Sequence, residues 1–271
     1  MALLDVKNLD ISYGAQAAVA GVSLELERGE VLAIVGESGS GKTTVIRAIM
    51  GCLPGNGRVS GGSVRFEGHD LLENTPEQWR RMRGASMSMI FQDSGNMINP
   101  IRRVGPQFID YIRVHAPEKD RNEARELAEK MLASVNLPNV KNIMDNYPFE
   151  LSGGMRQRVG IAMAMTFSPK LLLADEPTSA LDGTTQAQII KQIMDVRREY
   201  DAAVIIVTHN LGVASYMADK IMVMKDGRVM ESGLRDQVIF HPQDDYTKIL
   251  LASVPIIGAK PYYEGSPDHA A

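Results

Sequence analysis

An unbroken apolar run, Val31-Leu32-Ala33-Ile34-Val35, passes directly into Gly36-Glu37-Ser38-Gly39-Ser40-Gly41-Lys42-Thr43, a complete GxxxxGKT pattern. Few local patterns restrict a fold so tightly. Five consecutive apolar residues describe a parallel strand covered on both faces, and the glycine loop then requires a helix, expected over about Lys42 to Met50. Glycines allow successive backbone N–H groups to face phosphate oxygens. Lys42 neutralises the charge of those oxygens, and the Thr43 hydroxyl can reach a magnesium ion, with Thr44 in the same binding set.

Far downstream, Leu151-Ser152-Gly153-Gly154-Met155 is a second glycine-rich run, and it has no matching lysine. It opens the apolar stretch Val159 to Phe167, so the Ser152 hydroxyl and the amides of Gly153 and Gly154 lie at the positive end of a helix dipole. An ordinary N-cap would also use Ser-Gly-Gly. As an anion-facing element, the run suits a phosphate held elsewhere, so two chains or two domains would have to meet.

Leu173-Ala174-Asp175-Glu176 ends another apolar strand with adjacent carboxylates. Asp175 suits an outer magnesium contact and Glu176 the polarisation of an attacking water; a solvated strand end is the plainer alternative. His209 follows the strand-like Val204 to Thr208, where an imidazole could hydrogen-bond a γ-phosphate. The other four histidines, His69, His115, His241 and His269, read as structural or surface residues. Gln92, after Met89-Ile90-Phe91, could serve the magnesium or the water, and Tyr13, before Gly14, could stack on adenine or simply be an exposed turn residue.

With 271 residues the chain can bury a substantial core without staples. The single cysteine, Cys52, forms no internal disulfide, zinc site or iron–sulfur cluster alone, which fits a reducing compartment. A formal charge of −4 gives no broad basic field, so nucleic acid is not an expected partner despite clusters at Arg80, Arg81, Arg83 and at Arg102, Arg103. No apolar run approaches the roughly 20 residues needed to span a bilayer, and the first residues do not read as a leader. The expectation is a subunit soluble by itself, reaching a membrane only through partners.

Alternation in Val6 to Ile11 and Val22 to Glu27 suggests an antiparallel sheet, with a small-residue connector around Gly14 to Gly21 and a returning strand at Ser63 to Glu67. Ala124, Leu127, Ala128, Met131, Leu132 and Val135 follow the spacing of one buried helix face. Leu171 to Ala174 and Ala203 to Val207 read as buried strands around a helix carrying Ala187, Ile190, Ile193, Met194 and Arg197. A hairpin is expected from Ile221 to Met230. The chain is thus expected to be a single α/β domain: a P-loop ATPase core with a mixed sheet and an antiparallel β subdomain (about 1–94 and 169–240), a helical subdomain (about 95–168) and a tail (about 241–271).

In order and spacing, Tyr13, Gly36 to Thr43, Gln92, Leu151 to Met155, Asp175-Glu176, Ser179-Ala180-Leu181-Asp182 and His209 resemble the A-loop, Walker A, Q-loop, signature, Walker B, D-loop and H-loop of ABC transporter ATPases. Closer likeness is to the peptide/nickel import subfamily, carried by Val35 to Lys42, Asn99-Pro100, Tyr147 to Arg158, Tyr246-Thr247 and Leu250-Leu251. Asp244-Asp245 depart from it, standing where His-Pro is common. The resemblance implies ATP and Mg2+ as cofactors and a head-to-tail pair with a second ABC ATPase subunit, which a different chain would supply. It further implies two transmembrane permease subunits, an extracytoplasmic substrate-binding protein and a peripheral place on the cytoplasmic membrane face. A small-molecule kinase and a non-transport ABC subunit are the alternatives; the signature run and His209 argue against the kinase.

Overall fold

The computed structural model describes residues 2–92, 97–178 and 183–253. They divide between two compact units, one of residues 2–74 and 203–253, the other of residues 75–92, 97–178 and 183–202.

In the first unit, β1 (Leu4–Tyr13) lies antiparallel between β2 (Gln16–Leu26) and β4 (Gly57–Phe66). The short β5 (His69–Asp70) follows on β4. Alternating Leu4, Val6, Val22, Leu24 and Leu26 supply the buried face, as a half-covered antiparallel sheet requires. The register shifts between Lys7 and Asp10, where Asn8 adopts φ 47°. Gly62 faces this bulge at φ +85°, and a Cβ there would stand 2.4 Å from the Lys7 and Asn8 carbonyl oxygens. Asp10 uses the bulge to accept the Gly21 N–H at 2.8 Å.

The small-residue connector expected at Gly14 to Gly21 is mostly strand, because β2 begins at Gln16. Pairing with β1 and the Ala20 N–H bond to the Gly227 carbonyl (2.9 Å) outweigh the weak strand preference of alanine. Likewise β4 begins at Gly57, six residues before the strand expected at Ser63 to Glu67.

The same unit holds β3 (Val31–Val35), flanked in parallel by β8 (Ala203–Thr208) and β9 (Lys220–Lys225), with β10 (Arg228–Leu234) antiparallel on β9. All five residues of β3 are buried, matching its continuous apolar sequence. Helix α1 (Lys42–Ile49) follows β3, burying Val45, Ile46 and Ile49.

The second unit begins with α2 (Pro76–Met82), started by a Thr75–Gln78 capping box, and β6 (Met87–Ile90). Helices α3 (Val104–His115), α4 (Arg121–Ser134), α5 (Val140–Asp145) and α6 (Gly153–Met165) come next, then β7 (Leu171–Asp175) and α7 (Gly183–Tyr200). Asp120 and Glu123 cap α4 reciprocally, and Ala124, Ala128, Met131 and Leu132 form its buried stripe. Leu127 is half-buried at the stripe's margin. On α7, Ile189 rather than Ala187 faces inward, since Ala187 is exposed.

The first unit closes with α8 (Leu211–Met217), α9 (Arg235–Phe240) and α10 (Asp245–Ala252). Among the described residues, no helix is long and apolar enough to cross a membrane.

Candidate functional site

In the first unit the parallel ladder pairs Val35 with Thr208. The residues that follow, Gly36 and His209, therefore leave neighbouring strands at the same carboxyl-end edge, where open α/β sheets bind ligands. Gly36 has φ +149°, and a Cβ there would come 2.1 Å from the Met224 carbonyl oxygen on β9. Only glycine fits this passage. Gly41 starts α1 at φ 97°, without a side-chain cap, and packs on Ala18 and Val19 of β2.

Lys42 is buried and donates to the carbonyl oxygens of Gly36 (2.8 Å) and Glu37 (2.6 Å) and to Ser40 Oγ (3.3 Å). Ser40 N–H closes the turn on the Glu37 carbonyl at 3.2 Å. Glu37, Ser38 and Gly39 are exposed, so the loop's outer arc faces solvent while its base is fixed. Thr43 and Thr44 form the first turn of α1, where backbone amides and the helix dipole favour an anion. His209 is exposed beyond β8, and Asn210 caps α8 by accepting from Gly212 and Val213 N–H. Tyr13 is the last residue of β1 rather than part of the turn, with its ring edge packed over Gly57.

Two contributors escaped the motif reading. Gly227, in the β9–β10 turn at φ +75°, donates its N–H to the Ser40 carbonyl (3.1 Å), so the hairpin supports the glycine loop. Tyr246 accepts the Glu37 N–H at 3.3 Å across 209 residues of sequence. Burial pushes the Tyr246 phenol above its ordinary pKa. The Asp-Gly turn and Tyr246-Thr247 were visible in the sequence, but neither local pattern names the loop as its partner.

In the second unit β6 and β7 run parallel, with Ile90 opposite Ala174. Gln92, Asp175 and Glu176 consequently emerge at one carboxyl-end edge. Asp175 is buried, whereas Gln92 is exposed. Glu176 adopts φ 43°, a left-handed conformation uncommon for a non-glycine residue and one that often marks functional positions.

Ser152 caps α6, its Oγ accepting the Met155 N–H at 3.3 Å, while Ser152 and Gly153 are exposed and Gly154 half-buried. Gln157, one turn further and buried, donates to the Pro177 carbonyl at 3.0 Å. This bond ties the helix bearing Ser152 to the segment just after Glu176. The expected Ser179 to Asp182 element lies outside the described residues.

Residues 19–179 match the family model for the ABC transporter. The chain belongs to the ABC transporter family. It is 42% identical over 271 residues to the oligopeptide transport ATP-binding protein OppD of Haemophilus influenzae, spanning 98% of this chain and 81% of the relative. Similarity to OppD of Escherichia coli is 43% over 263 residues, covering 96% and 77%, and to the dipeptide transport ATP-binding protein DppD of Bacillus subtilis 43% over 258 residues, covering 93% and 77%. Among solved structures, the ADP- and Pi-bound dimer of the ATP-binding cassette MJ0796 superposes with a TM-score of 0.76 at 27% identity, over 86% of this chain and 98% of that one. The ABC chain is accordingly an ATPase.

Oxygen donors for a divalent ion accompanying ATP are present in each unit, the Thr43 hydroxyl in the first and the Gln92 amide and Asp175 carboxylate in the second. Hard oxygen donors suit Mg2+. Among the described residues there is no group of three or more His, Cys, Asp or Glu that could hold a metal ion.

Proposed function

We propose that this chain is the ATP-hydrolysing subunit of an importer for oligopeptides or a related small solute, working as half of a head-to-tail ATPase pair. The observation that carries the reading is identity of 42–43% to oligopeptide and dipeptide transport ATP-binding proteins over 93% or more of the chain. A match that long extends beyond the loop shared by all phosphate-binding ATPases.

Each residue has a definite task in this scheme. The amides from Gly36, Glu37, Ser38, Gly39, Ser40 and Gly41 to Thr44 surround the triphosphate, Lys42 neutralises its β/γ oxygens, and Tyr13 stacks on the adenine. Thr43, Gln92 and Asp175 hold Mg2+, which offsets phosphate charge when bound. Glu176 polarises water for attack on the γ-phosphorus; the bond to the bridging oxygen breaks, giving ADP and phosphate. Gln92 helps to orient that water, and His209 hydrogen-bonds the γ-phosphate.

Ser152, Gly153 and Gly154 face the nucleotide of the second ATPase subunit. ATP thus favours closure through contacts that the open pair lacks, and loss of γ-phosphate removes the bias. Two permease subunits at the cytoplasmic membrane face convert closure into alternating access, and an extracytoplasmic binding protein delivers the solute.

Affinity purification of the tagged chain from detergent-solubilised membranes tests the assembly. Recovery of a second ATPase and two membrane-spanning subunits, with hydrolysis stimulated by peptide-loaded binding protein, is expected. An assembly without membrane-spanning subunits, or transfer of labelled γ-phosphate to an acceptor other than water, would overturn it.

A further inference from the structure

Tyr246 lies on the first turn of α10, far from every phosphate-binding motif in sequence, yet its hydroxyl meets the beginning of the glycine loop. The backbone N–H of Glu37 donates to that hydroxyl at 3.3 Å. The Glu37 carbonyl, on the other side of the same Cα, accepts from Lys42 Nζ at 2.6 Å and from Ser40 N–H at 3.2 Å. Glu37 therefore connects Tyr246 with the lysine ammonium.

The anchor behind this contact is well fixed. The Glu231 carboxylate on β10 accepts the N–H groups of Gln243 (2.9 Å) and Asp244 (3.1 Å), and Asp244 Oδ1 caps α10 through the N–H groups of Tyr246 (2.9 Å) and Thr247 (3.3 Å). Lys225 Nζ lies 4.7 Å from the Tyr246 ring centroid, within cation–π range. Thr247 and Leu251 are buried behind it. Asp244 thus supplies the cap that orients the tyrosine.

We propose that Tyr246 is a positioning residue for the ATP site, its hydroxyl holding Glu37 and so preorganising the loop and Lys42 for the triphosphate. It acts through Glu37 and does not itself touch nucleotide. The proposal rests on the role given to Lys42 above. A loop held in its binding geometry loses less freedom when phosphate arrives, so the grip favours affinity without adding a ligand contact.

The test compares Tyr246→Phe, which keeps the ring, with Thr247→Val, which perturbs the same helix turn without reaching the loop. Mg-ATP is titrated calorimetrically into the full chain, and amide hydrogen exchange is followed over residues 36–42. Tyr246→Phe is expected to weaken ATP binding roughly two- to tenfold, the effect of losing about one net hydrogen bond, and to speed exchange in the loop. Thr247→Val is expected to match the parent in both.

Unchanged affinity in Tyr246→Phe would overturn the proposal, and so would equal weakening in Thr247→Val, which would mean general loosening of α10. Lys42→Ala separates the two levels. If it binds ATP normally, the loop assignment itself fails; if it binds weakly while Tyr246→Phe is normal, only the tyrosine's role is lost.

Discussion

The N–H of Gly227 donates to the carbonyl of Ser40 at 3.1 Å, and the carbonyl of Gly227 accepts the N–H of Ala20 at 2.9 Å. One turn residue thereby fastens the glycine loop to the antiparallel sheet. At φ +75°, a Cβ on Gly227 would also come 2.4 Å from the Ala18 carbonyl oxygen. Gly227→Ala is expected to destabilise the chain by at least about 1–2 kcal/mol from the left-handed backbone alone, with weaker ATP binding as Ser40 shifts. Urea unfolding and ATP titration measure the two effects; a neutral result in both would dismiss the clamp.

Replacing Glu176 by Gln preserves the side-chain shape and removes its basicity. ATP binding should persist while single-site turnover falls by about a hundredfold or more, the scale of a general base. Phosphate release under single-turnover conditions reads this directly. Unchanged turnover would reassign the activation of water to another group.

Ser152→Ala removes the acceptor that caps α6 at Met155 N–H. A loss of about 1 kcal/mol in unfolding free energy is expected from the cap. ATP-dependent pairing of subunits, followed by sedimentation with a non-hydrolysing Glu176→Gln background, should weaken as well. A stability loss with undiminished pairing would leave Ser152 as a cap and nothing more.

His115 stands edge-on to Tyr111 at 5.0 Å between ring centroids and 5.4 Å from Phe167. Burial, and secondarily the positive charge of Arg80, hold its imidazole below the usual pKa. The native state therefore binds fewer protons than the unfolded chain just below about pH 6.5, so this contribution to stability is full above that pH and declines as pH falls through it. Melting curves between pH 7.5 and 5 should show a shallower decline for His115→Gln. An identical pH slope would contradict the assignment.

Much of the core was legible because its signals are local. The continuous apolar strand Val31–Val35, the glycine loop and the stripe on α4 each appear where periodicity and loop chemistry place them. Gly14 to Gly21 misread as a connector because alanine and glycine carry little strand preference, and β1 and Gly227 impose the extended form from elsewhere. The site shows the same division. Gly36, Lys42 and Ser152 stand in recognisable local motifs, while Gly227, Tyr246 and Gln157 act through long-range hydrogen bonds that leave no periodic trace.

The pairing of Val35 with Thr208 makes the position of His209 a matter of counting. Adding or deleting one residue inside β8 would carry the imidazole about 3.3 Å along the edge and turn it to the opposite face of the sheet. Point substitutions in that strand can be absorbed by repacking, but a frame of one cannot. Length, more than side-chain identity, is what Ala203–Thr208 must keep for the histidine to arrive beside the loop.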